Sequence, residues 1–229
     1  MIKISILHPS YNRPQMAYDC FCDWVGCASN PSEIEYIIGV DENDPSCSLY
    51  TDKFLNLKNN DIGGYLIDIG NSTNAIQAVN RIAHKISPKS EILVEVCDDI
   101  ASFPYWDSLL FECLKGIDNF SDPKMIGTCD GLRGYGELFT QPIMNRACYN
   151  RLGFFLYPEY TSMWADNDFT EVAKLTGFLV NAPHILFNHK HYSKGVTPLD
   201  ATYTRRNNAL ETKYNRNIFL EREKRGFDL

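Results

Sequence analysis

The sequence predicts an α/β domain, a mostly parallel sheet with helices on both faces. A strand pattern over residues 2–6 leads through a polar turn at 9–14 into a helical pattern that begins at once. Strand and helix patterns then alternate through the first half of the chain. Polar or loop-forming residues follow these strands at their carboxyl ends, the edge where such sheets bind ligands. These residues are Arg13, Asp41, Gly70, Asp98 and Asp99.

The spacing of apolar residues places further elements in the first half of the chain. We expect helices at 14–28 and 73–86 and strands at 35–41, 65–70 and 91–97. The side-chain oxygen of Asn71, Ser72 or Thr73 is the expected N-cap of the second helix, because it can accept a hydrogen bond from a free backbone N–H.

The second half of the chain is less regular. We expect helices at 106–117, 146–153 and 166–177, strands at 125–129 and 178–187, and a glycine-punctuated loop or hairpin at 131–142. Pro183 interrupts the last strand pattern, and Gly153 and Gly177 end two of the helices. The expected organisation is one domain over residues 1–197 with a helical or irregular C-terminal appendage over 198–229.

Composition narrows the classes of protein. The net charge of -7 disfavours sequence-independent binding of nucleic acid. No apolar run approaches the ~20 residues of a membrane-spanning helix, and no signal-peptide core is present. The eight cysteines lie mainly in apolar periodic segments, which indicates reduced, buried thiols. Cys20, Cys22 and Cys27 lack a second ligand pair at zinc spacing, which disfavours a structural zinc.

Phosphate-binding glycine loops of the GxGxxG and GxxxxGK[ST] types are missing, so a diphosphate would have to be held by other groups. Asp98 and Asp99 follow a buried strand pattern, and neighbouring side chains of an extended chain point to opposite faces. One of them could therefore bind Mg²⁺ or Mn²⁺ while the other reaches a sugar hydroxyl. The alternative is an ordinary acidic turn.

Two further groups of polar residues are candidates for chemistry. Asp166 and Asp168 open a helix, where acidic residues commonly stabilise the first turn by ~0.3–1 kcal/mol, but one could act as a general base. His189 and His191 share a face in an extended chain, so one could complete a metal site or contact phosphate. A polar surface role is the alternative for both, and His184 is expected to be structural.

The order of these motifs resembles that of inverting nucleotide-sugar glycosyltransferases of the GT-A fold, of the large family-two type. The matching segments are ILHPSYNRP, NSTNAIQAVNRIAHKI, VCDDI, RLGFF and ADNDF. They correspond to the opening strand and turn, the helix before the metal strand, the D-x-D motif, the acceptor segment and the E-D-x-D motif. The resemblance covers residues 1–192. Cys97 stands at the first D-x-D position, and Ala165 replaces the acidic residue before the base.

The resemblance implies a role for each matching position. The nucleotide pocket would be formed by Pro9, Tyr11, Arg13, Asp41 and Asp98. Asp41 would contact the base or ribose, and Asp98 the ribose or donor sugar.

The same resemblance implies the metal site and the base. Asp99 would bind Mn²⁺ or Mg²⁺, and His191, preferred to His189, would be the late metal or phosphate ligand. Asp166 would deprotonate the acceptor hydroxyl.

Trp164 is the candidate acceptor residue. It precedes the proposed base in a segment that also contains Phe155, Tyr157 and Tyr160. Aromatic rings stack on the apolar face of a sugar, which favours acceptor contact for Trp164. The alternative, preferred for Phe155, is that the rings pack in the core.

These features together predict an inverting, metal-assisted glycosyltransferase that takes a nucleotide-sugar donor and a carbohydrate or other hydroxyl-bearing acceptor. Rival functions are a nucleotidyltransferase, a nucleotide-sugar hydrolase, a non-catalytic carbohydrate-binding relative, and a Rossmann-like domain without sugar chemistry. The expected location is the cytoplasm, of a bacterium or of the host of a virus. The tail, rich in basic residues, could pack over the acceptor cleft, pair with a second copy of the chain, or touch an anionic lipid or polymer.

Overall fold

The computed structural model describes residues 1–55, 62–115, 120–206 and 208–229, and every structural statement below concerns these residues. Their strands are β1 Ile4–Ser10, β2 Ile34–Asp41, β3 Gly64–Gly70, β4 Ile92–Glu95, β5 Ile100–Ala101, β6 Met125–Cys129, β7 Ile143–Asn145, β8 Leu179–Leu186 and β9 Asn188–His189. Their helices are α1 Pro14–Gly26, α2 Cys47–Phe54, α3 Ala75–Ala83, α4 Trp106–Lys115, α5 Arg146–Leu152, α6 Ala165–Thr176, α7 Ala201–Arg206 and α8 Ala209–Lys224.

Seven of the strands form one mixed sheet in the order β3-β2-β1-β4-β7-β6-β8. The strands β3, β2, β1 and β4 are parallel, β7 is antiparallel to both of its neighbours, and β6 is parallel to β8. The predicted α/β class with a mostly parallel sheet is therefore confirmed. The carboxyl ends of β1, β2 and β4 meet at the middle of one sheet edge, which is where ligands bind in such folds.

Each face of the sheet carries a hydrophobic core. Ile4 and Ile6 of β1 face a core shared with α1, α2 and α4, in which the rings of Trp24 and Trp106 meet edge to face at 4.8 Å. Leu7 points to the opposite core, which it shares with α3, α5, α6 and α8. This alternation follows from the two-residue period of a strand, and it explains why β1 is apolar on both faces.

The boundaries of several elements differ from the expectation. The N-cap of α3 is Asn74, whose side chain accepts a hydrogen bond from the backbone N–H of Gln77 at 2.9 Å, so the expected cap at residues 71–73 is wrong. Pro183 lies inside β8 without ending it, because a register shift against β6 accommodates the irregularity. Gly153 and Gly177 do end their helices, at φ 80° and 71°. Residues 116–117 of one expected helix lie outside the described residues.

The patterns failed to predict α2 and β7. The C-terminal residues are largely helical, with α7 lying at the carboxyl edge of the sheet and α8 packing on α6. In the described part of the chain no helix has the length and apolar character needed to span a membrane. All eight cysteines are free, but only Cys20 and Cys148 are buried and Cys22 is exposed, which corrects the expectation of mainly buried thiols.

Candidate functional site

A cavity of about 150 Å³ lies at the carboxyl ends of β1, β2 and β4. The turn after β1, the end of β2, the start of α3, the segment after β4 and the helix α7 form its walls. All five residues predicted to form a nucleotide pocket line it: Pro9, Tyr11, Arg13, Asp41 and Asp98. The structure therefore brings these residues together, while their contact with a nucleotide stays a prediction.

Asp98 is fixed by three neighbours from the end of β1 and the turn after it. Its Oδ1 accepts a hydrogen bond from the Ser10 hydroxyl at 2.7 Å and lies 3.0 Å from Nε2 of His8. Its Oδ2 lies 3.7 Å from Nη1 of Arg13. The other His8 nitrogen is 2.8 Å from the Tyr36 hydroxyl. The Asp98 carboxylate is thus held in one orientation at the cavity wall.

Asp41 ends β2 at the cavity wall, with one carboxylate oxygen, Oδ1, fully buried. Burial raises the pKa of Asp41, although the nearby Arg81 and a hydrogen bond from the Ser72 hydroxyl oppose the shift. A carboxylate carries several acceptor positions, so Asp41 can also accept a hydrogen bond from an N–H or O–H of a bound ligand.

The helix α7 forms the outer wall of the cavity. Asp200, just before α7, accepts two hydrogen bonds from the guanidinium of Arg13, both at 2.7 Å. The ring of Tyr203 stacks on Arg13 at 4.3 Å, and the guanidinium of Arg205 stacks on Tyr11 at 4.0 Å. Asp200, Tyr203 and Arg205 were not predicted as site residues from the sequence.

Asp98 and Asp99 lie in a turn, closed by a hydrogen bond from the Ile100 backbone N–H to the Cys97 carbonyl at 3.1 Å, so the expected extended chain at this pair is wrong. The Asp99 carboxylate accepts a hydrogen bond from the Tyr203 hydroxyl and lies 3.3 Å from Nε2 of His189. The other nitrogen of His189 lies 3.2 Å from Asp130. Burial acts to lower the pKa of His189, but hydrogen bonds to Asp130 and Asp99 outweigh it and raise the pKa to about 9. Asp99 therefore forms an ion pair with the imidazole of His189.

The proposed metal ligands do not converge. His191 Nδ1 lies 2.8 Å from the Ser193 hydroxyl, and the His191 ring is 5.2 Å from that of His189. In the described ranges no three His, Cys, Asp or Glu side chains are placed to hold an ion. The Asp99 carboxylate is paired instead with the Tyr203 hydroxyl and with His189. A metal at Asp99 and His191, and the preference for His191 over His189, stay predictions.

Asp166 and Asp168 have different surroundings, although both lie in the first turn of α6. Oδ1 of Asp166 accepts a hydrogen bond from the Asn167 backbone N–H at 3.0 Å, and burial raises the pKa of Asp166. Asp166 also interacts electrostatically with Arg206, which lines the cavity. Asp168 instead pairs with Nε of Arg222 at 2.6 Å on the opposite side of the helix. Asp166 does not line the cavity and is linked to it through its interaction with Arg206, so its role as the base stays a prediction.

Trp164 has a strained backbone next to that base. It is the N-cap of α6 at φ 78°, a left-handed conformation that costs of order 1–3 kcal/mol in a residue other than glycine and is enriched at functional sites. Its ring packs at 5.2 Å from that of Phe219 in α8. The guanidinium of Arg216 also lies over the indole, 6.0 Å from its centroid. Both contacts come from α8, and acceptor contact stays a prediction.

Glu95 lies at the cavity but was not predicted as a site residue from the sequence. It lines the cavity and is only 8% exposed, because β4 carries it into the sheet. Burial raises the pKa of Glu95 to about 7. The positive charge of Arg206 acts to lower this pKa, and the negative charge of Asp166 acts to raise it further. A glutamate in the middle of an otherwise apolar strand pattern, residues 92–96, was the available signal.

Glu95 should make stability depend on pH. Unfolded, a glutamate loses its proton near pH 4.5, whereas folded Glu95 keeps it to about 7. Folding thus takes up a proton between these values, and the free energy of unfolding falls as the pH rises through this window. Glu95→Gln is neutral throughout. The unfolding free energy of the parent minus that of the variant should therefore fall by up to about 1.4 kcal/mol per pH unit.

Urea unfolding from about pH 4 to about pH 8 measures this difference. Glu112→Gln is the control, since its side chain is 69% exposed on α4 and its loss should leave the pH dependence of the parent unchanged. A Glu95→Gln difference that stays constant with pH would contradict the raised pKa.

Comparisons with known proteins agree with this geometry at the level of the fold. Against TarS 1-349 of S. aureus, solved in complex with UDP-GlcNAc, the TM-score is 0.61 at 15% identity over 100% of this chain and 73% of that one. The mannosyltransferase PcManGT from Pyrobaculum calidifontis, solved with GDP-Man and Mn²⁺, gives a TM-score of 0.61 at 9% identity over 97% of this chain and 75% of that one. The catalytic domain of Drosophila beta1,4-galactosyltransferase 7, solved in complex with xylobiose, gives a TM-score of 0.51 at 11% identity over 90% of this chain and 79% of that one.

The chain spans 36% of the longer TarS structure and 59% of TarS 1-349 in its UDP complex. No protein family model and no curated protein matches the sequence. The chain therefore has the fold of GT-A-type glycosyltransferases, and the resemblance noted in its motifs is confirmed for that fold.

Proposed function

We propose that this protein transfers a sugar from a nucleotide-diphosphate donor to an acceptor hydroxyl, with inversion at the anomeric carbon. The observation that carries the proposal is the cavity at the carboxyl ends of β1, β2 and β4 in a GT-A-type fold, whose wall brings together Arg13, Asp41 and Asp98. Two of the structural neighbours were solved with UDP-GlcNAc or GDP-Man, which supports a nucleotide sugar as the class of donor.

In this mechanism each residue has one task. Asp41 accepts a hydrogen bond from the base or ribose, and Asp98, oriented by His8 and Ser10, contacts the ribose or donor sugar. Asp166 takes the proton of the acceptor hydroxyl as its oxygen bonds to the anomeric carbon. The bond from that carbon to the donor phosphate breaks on the opposite face, which inverts the configuration. A raised pKa suits Asp166 to this role, because the carboxylate then binds a proton more readily.

Trp164 is the proposed acceptor contact, since it directly precedes the α6 turn that carries the base. Mn²⁺ or Mg²⁺ at Asp99 and His191 is a separate proposal, supported by the Mn²⁺ with which the mannosyltransferase PcManGT was solved. No catalytic step is assigned to a metal, because the described residues contain no cluster of three His, Cys, Asp or Glu side chains that could hold one. The cytoplasm remains the proposed location.

The test uses the parent protein with UDP- and GDP-sugars carrying a labelled sugar, each with Mn²⁺ or with EDTA. Labelled sugar on an added saccharide acceptor, with inverted anomeric configuration by NMR, is the expected product. Free labelled sugar alone would indicate a hydrolase, and a new phosphodiester bond a nucleotidyltransferase. Nucleotide binding with no reaction would indicate a non-catalytic relative, and any of these three results would overturn the proposal.

Asp41→Asn tests the nucleotide pocket. The variant keeps the shape of the side chain but gives up the charge of its acceptor oxygen and can place an N–H against the donor group of the ligand. Affinity for the nucleotide that the parent binds should fall about 10-fold or more, measured by calorimetric titration. Asp52→Asn, on the exposed side of α2, is the matched control and should bind like the parent. Equal affinity of Asp41→Asn and the control would remove Asp41 from the pocket.

A further inference from the structure

One part of the cavity wall is a junction between the chain before α6 and the C-terminal helix α8. Thr161, Ser162 and Glu211 line the cavity at this junction. Asn215 of α8 is fully buried and accepts a hydrogen bond from the Thr161 backbone N–H at 2.9 Å. Its Nδ2 donates to the Thr161 hydroxyl at 2.9 Å, and that hydroxyl donates to Oε1 of Glu211 at 2.8 Å. The Glu211 carboxylate is thus fixed at the cavity wall.

Helix capping does not explain the orientation of Glu211. It is the third residue of α8 after the N-cap Asn208, where a glutamate often turns back to bond the backbone N–H of the cap. The Asn208 N–H bonds instead to the Arg205 carbonyl at 3.4 Å, and Glu211 turns to Thr161. Thr161 is the one described residue that donates a hydrogen bond to this carboxylate, which has about four acceptor positions. Glu211 can therefore also accept hydrogen bonds from a ligand in the cavity.

Ser162 gives a second, independent indication of a ligand at the junction. Its side chain is 8% exposed, and its hydroxyl has no hydrogen-bond partner among the described residues. Buried polar atoms are nearly always paired, so this hydroxyl lacks a partner that a ligand can supply. A ligand hydroxyl can donate to Glu211 and can either donate to or accept from Ser162. A compound with several hydroxyl groups, such as a sugar, meets both requirements.

Two features distinguish Glu211 from other carboxylates of the cavity. Oδ1 of Asp98 is already engaged by two described side chains, and burial raises the pKa of Glu95 to about 7. Glu211 has one described partner, and that partner begins the segment that continues to Trp164 and Asp166. Glu211 therefore stands at the part of the wall from which the chain leads to the proposed base.

We propose that Glu211 binds hydroxyl groups of the sugar that is transferred, so that α8 completes the donor site. This inference rests on the proposed function and names the class of sugar, a neutral one, because a carboxylate repels an acidic sugar. In a direct displacement the anomeric carbon lies between the donor phosphate and the base. The transferred sugar must therefore lie between the nucleotide residues and the segment that leads to Asp166, which is where Glu211 is held.

The test compares ligands with and without the sugar. UDP, UDP-glucose, UDP-N-acetylglucosamine, GDP and GDP-mannose are titrated calorimetrically, with Mn²⁺ and with EDTA, into the parent and three variants. Glu211→Ala should bind the nucleotide sugar preferred by the parent about 10- to 100-fold more weakly, with unchanged affinity for its nucleoside diphosphate. Glu211→Gln keeps one acceptor oxygen and should fall between the two. Glu223→Gln, on the exposed side of the same helix, is the matched control and should bind like the parent.

Three results would overturn the inference: undiminished affinity of Glu211→Ala for the nucleotide sugar, an equal loss for the diphosphate, or a parent that binds no nucleotide sugar. If Glu211→Ala lowers the unfolding temperature, Glu211→Gln decides by the same comparison. A loss confined to the affinity for an added saccharide acceptor would assign Glu211 to the acceptor and overturn the inference as well.

The same variants separate this inference from the proposed function. Nucleotide-sugar affinity that depends on Glu211 without any sugar transfer would leave the inference standing and overturn the proposed function. Sugar transfer with full nucleotide-sugar affinity in Glu211→Ala would do the reverse.

Discussion

Asp166→Asn should lower the turnover of sugar transfer by ~10²–10⁴-fold while leaving the affinity for the donor unchanged. Asparagine keeps the size of the side chain and can still accept the hydrogen bond from the Asn167 backbone N–H, so α6 should begin as before. It cannot take the proton of the acceptor hydroxyl. Initial rates at saturating donor and acceptor, together with a donor titration, measure the two quantities separately.

Asp168→Asn is the comparison built into the same helix turn. Asp168 faces Arg222 and the Tyr160 hydroxyl, so its substitution should reduce stability with little effect on the turnover of the folded protein. A folded but inactive Asp168→Asn beside an active Asp166→Asn would show that the base has been assigned to the wrong aspartate.

The largest effect on stability is expected at the pair formed by Asp168 and Arg222. Both side chains are almost fully buried, at 3% and 2% exposure, and the pair joins α6 to α8. Asp168→Ala leaves a buried guanidinium without its main partner and should reduce the free energy of unfolding by about 3–5 kcal/mol. Urea unfolding followed by circular dichroism measures the loss.

Asp228→Ala is the matched control, because Asp228 pairs with the same guanidinium at 2.8 Å from a half-exposed position. Its loss should be much smaller than that of Asp168→Ala, because solvent screens an exposed ion pair. The double variant Asp168→Leu with Arg222→Met should recover most of the stability, since it leaves no buried charge unpaired. Equal losses in Asp168→Ala and Asp228→Ala would show that the buried pair does not hold α8 in place.

The first half of the fold was predictable because its patterns are local. The two-residue period of β1 and β2 and the apolar stripe of α3 appear in short windows, and the parallel order follows from their alternation. The reversed strand β7 has three residues, too few to show a period. Positions at strand ends, such as Arg13 and Asp41, followed from the same logic, and the structure places both at one cavity.

The contribution of the C-terminal segment to the site was not predictable in this way. The resemblance in motifs ended at residue 192, and Asp200, Tyr203 and Arg206 belong to no motif that was matched. Their places depend on contacts with Arg13 and Asp99, which are far away in the chain. The place of Glu95 in the site was not predictable for another reason. A strand pattern predicts on which side of the sheet a side chain lies, but not which charged residues lie near it.

The pair of Arg13 and Asp200 joins residues 187 positions apart in the sequence, and the pair of Tyr203 and Asp99 spans 104. Contacts of such long range form late in folding, because a large loop must close before they contribute any stability. During synthesis the β1 turn, Asp41 and Asp98 emerge long before their covering helix. The sheet can therefore assemble early with an open edge, and the cavity acquires its outer wall only when residues 200–206 have left the ribosome.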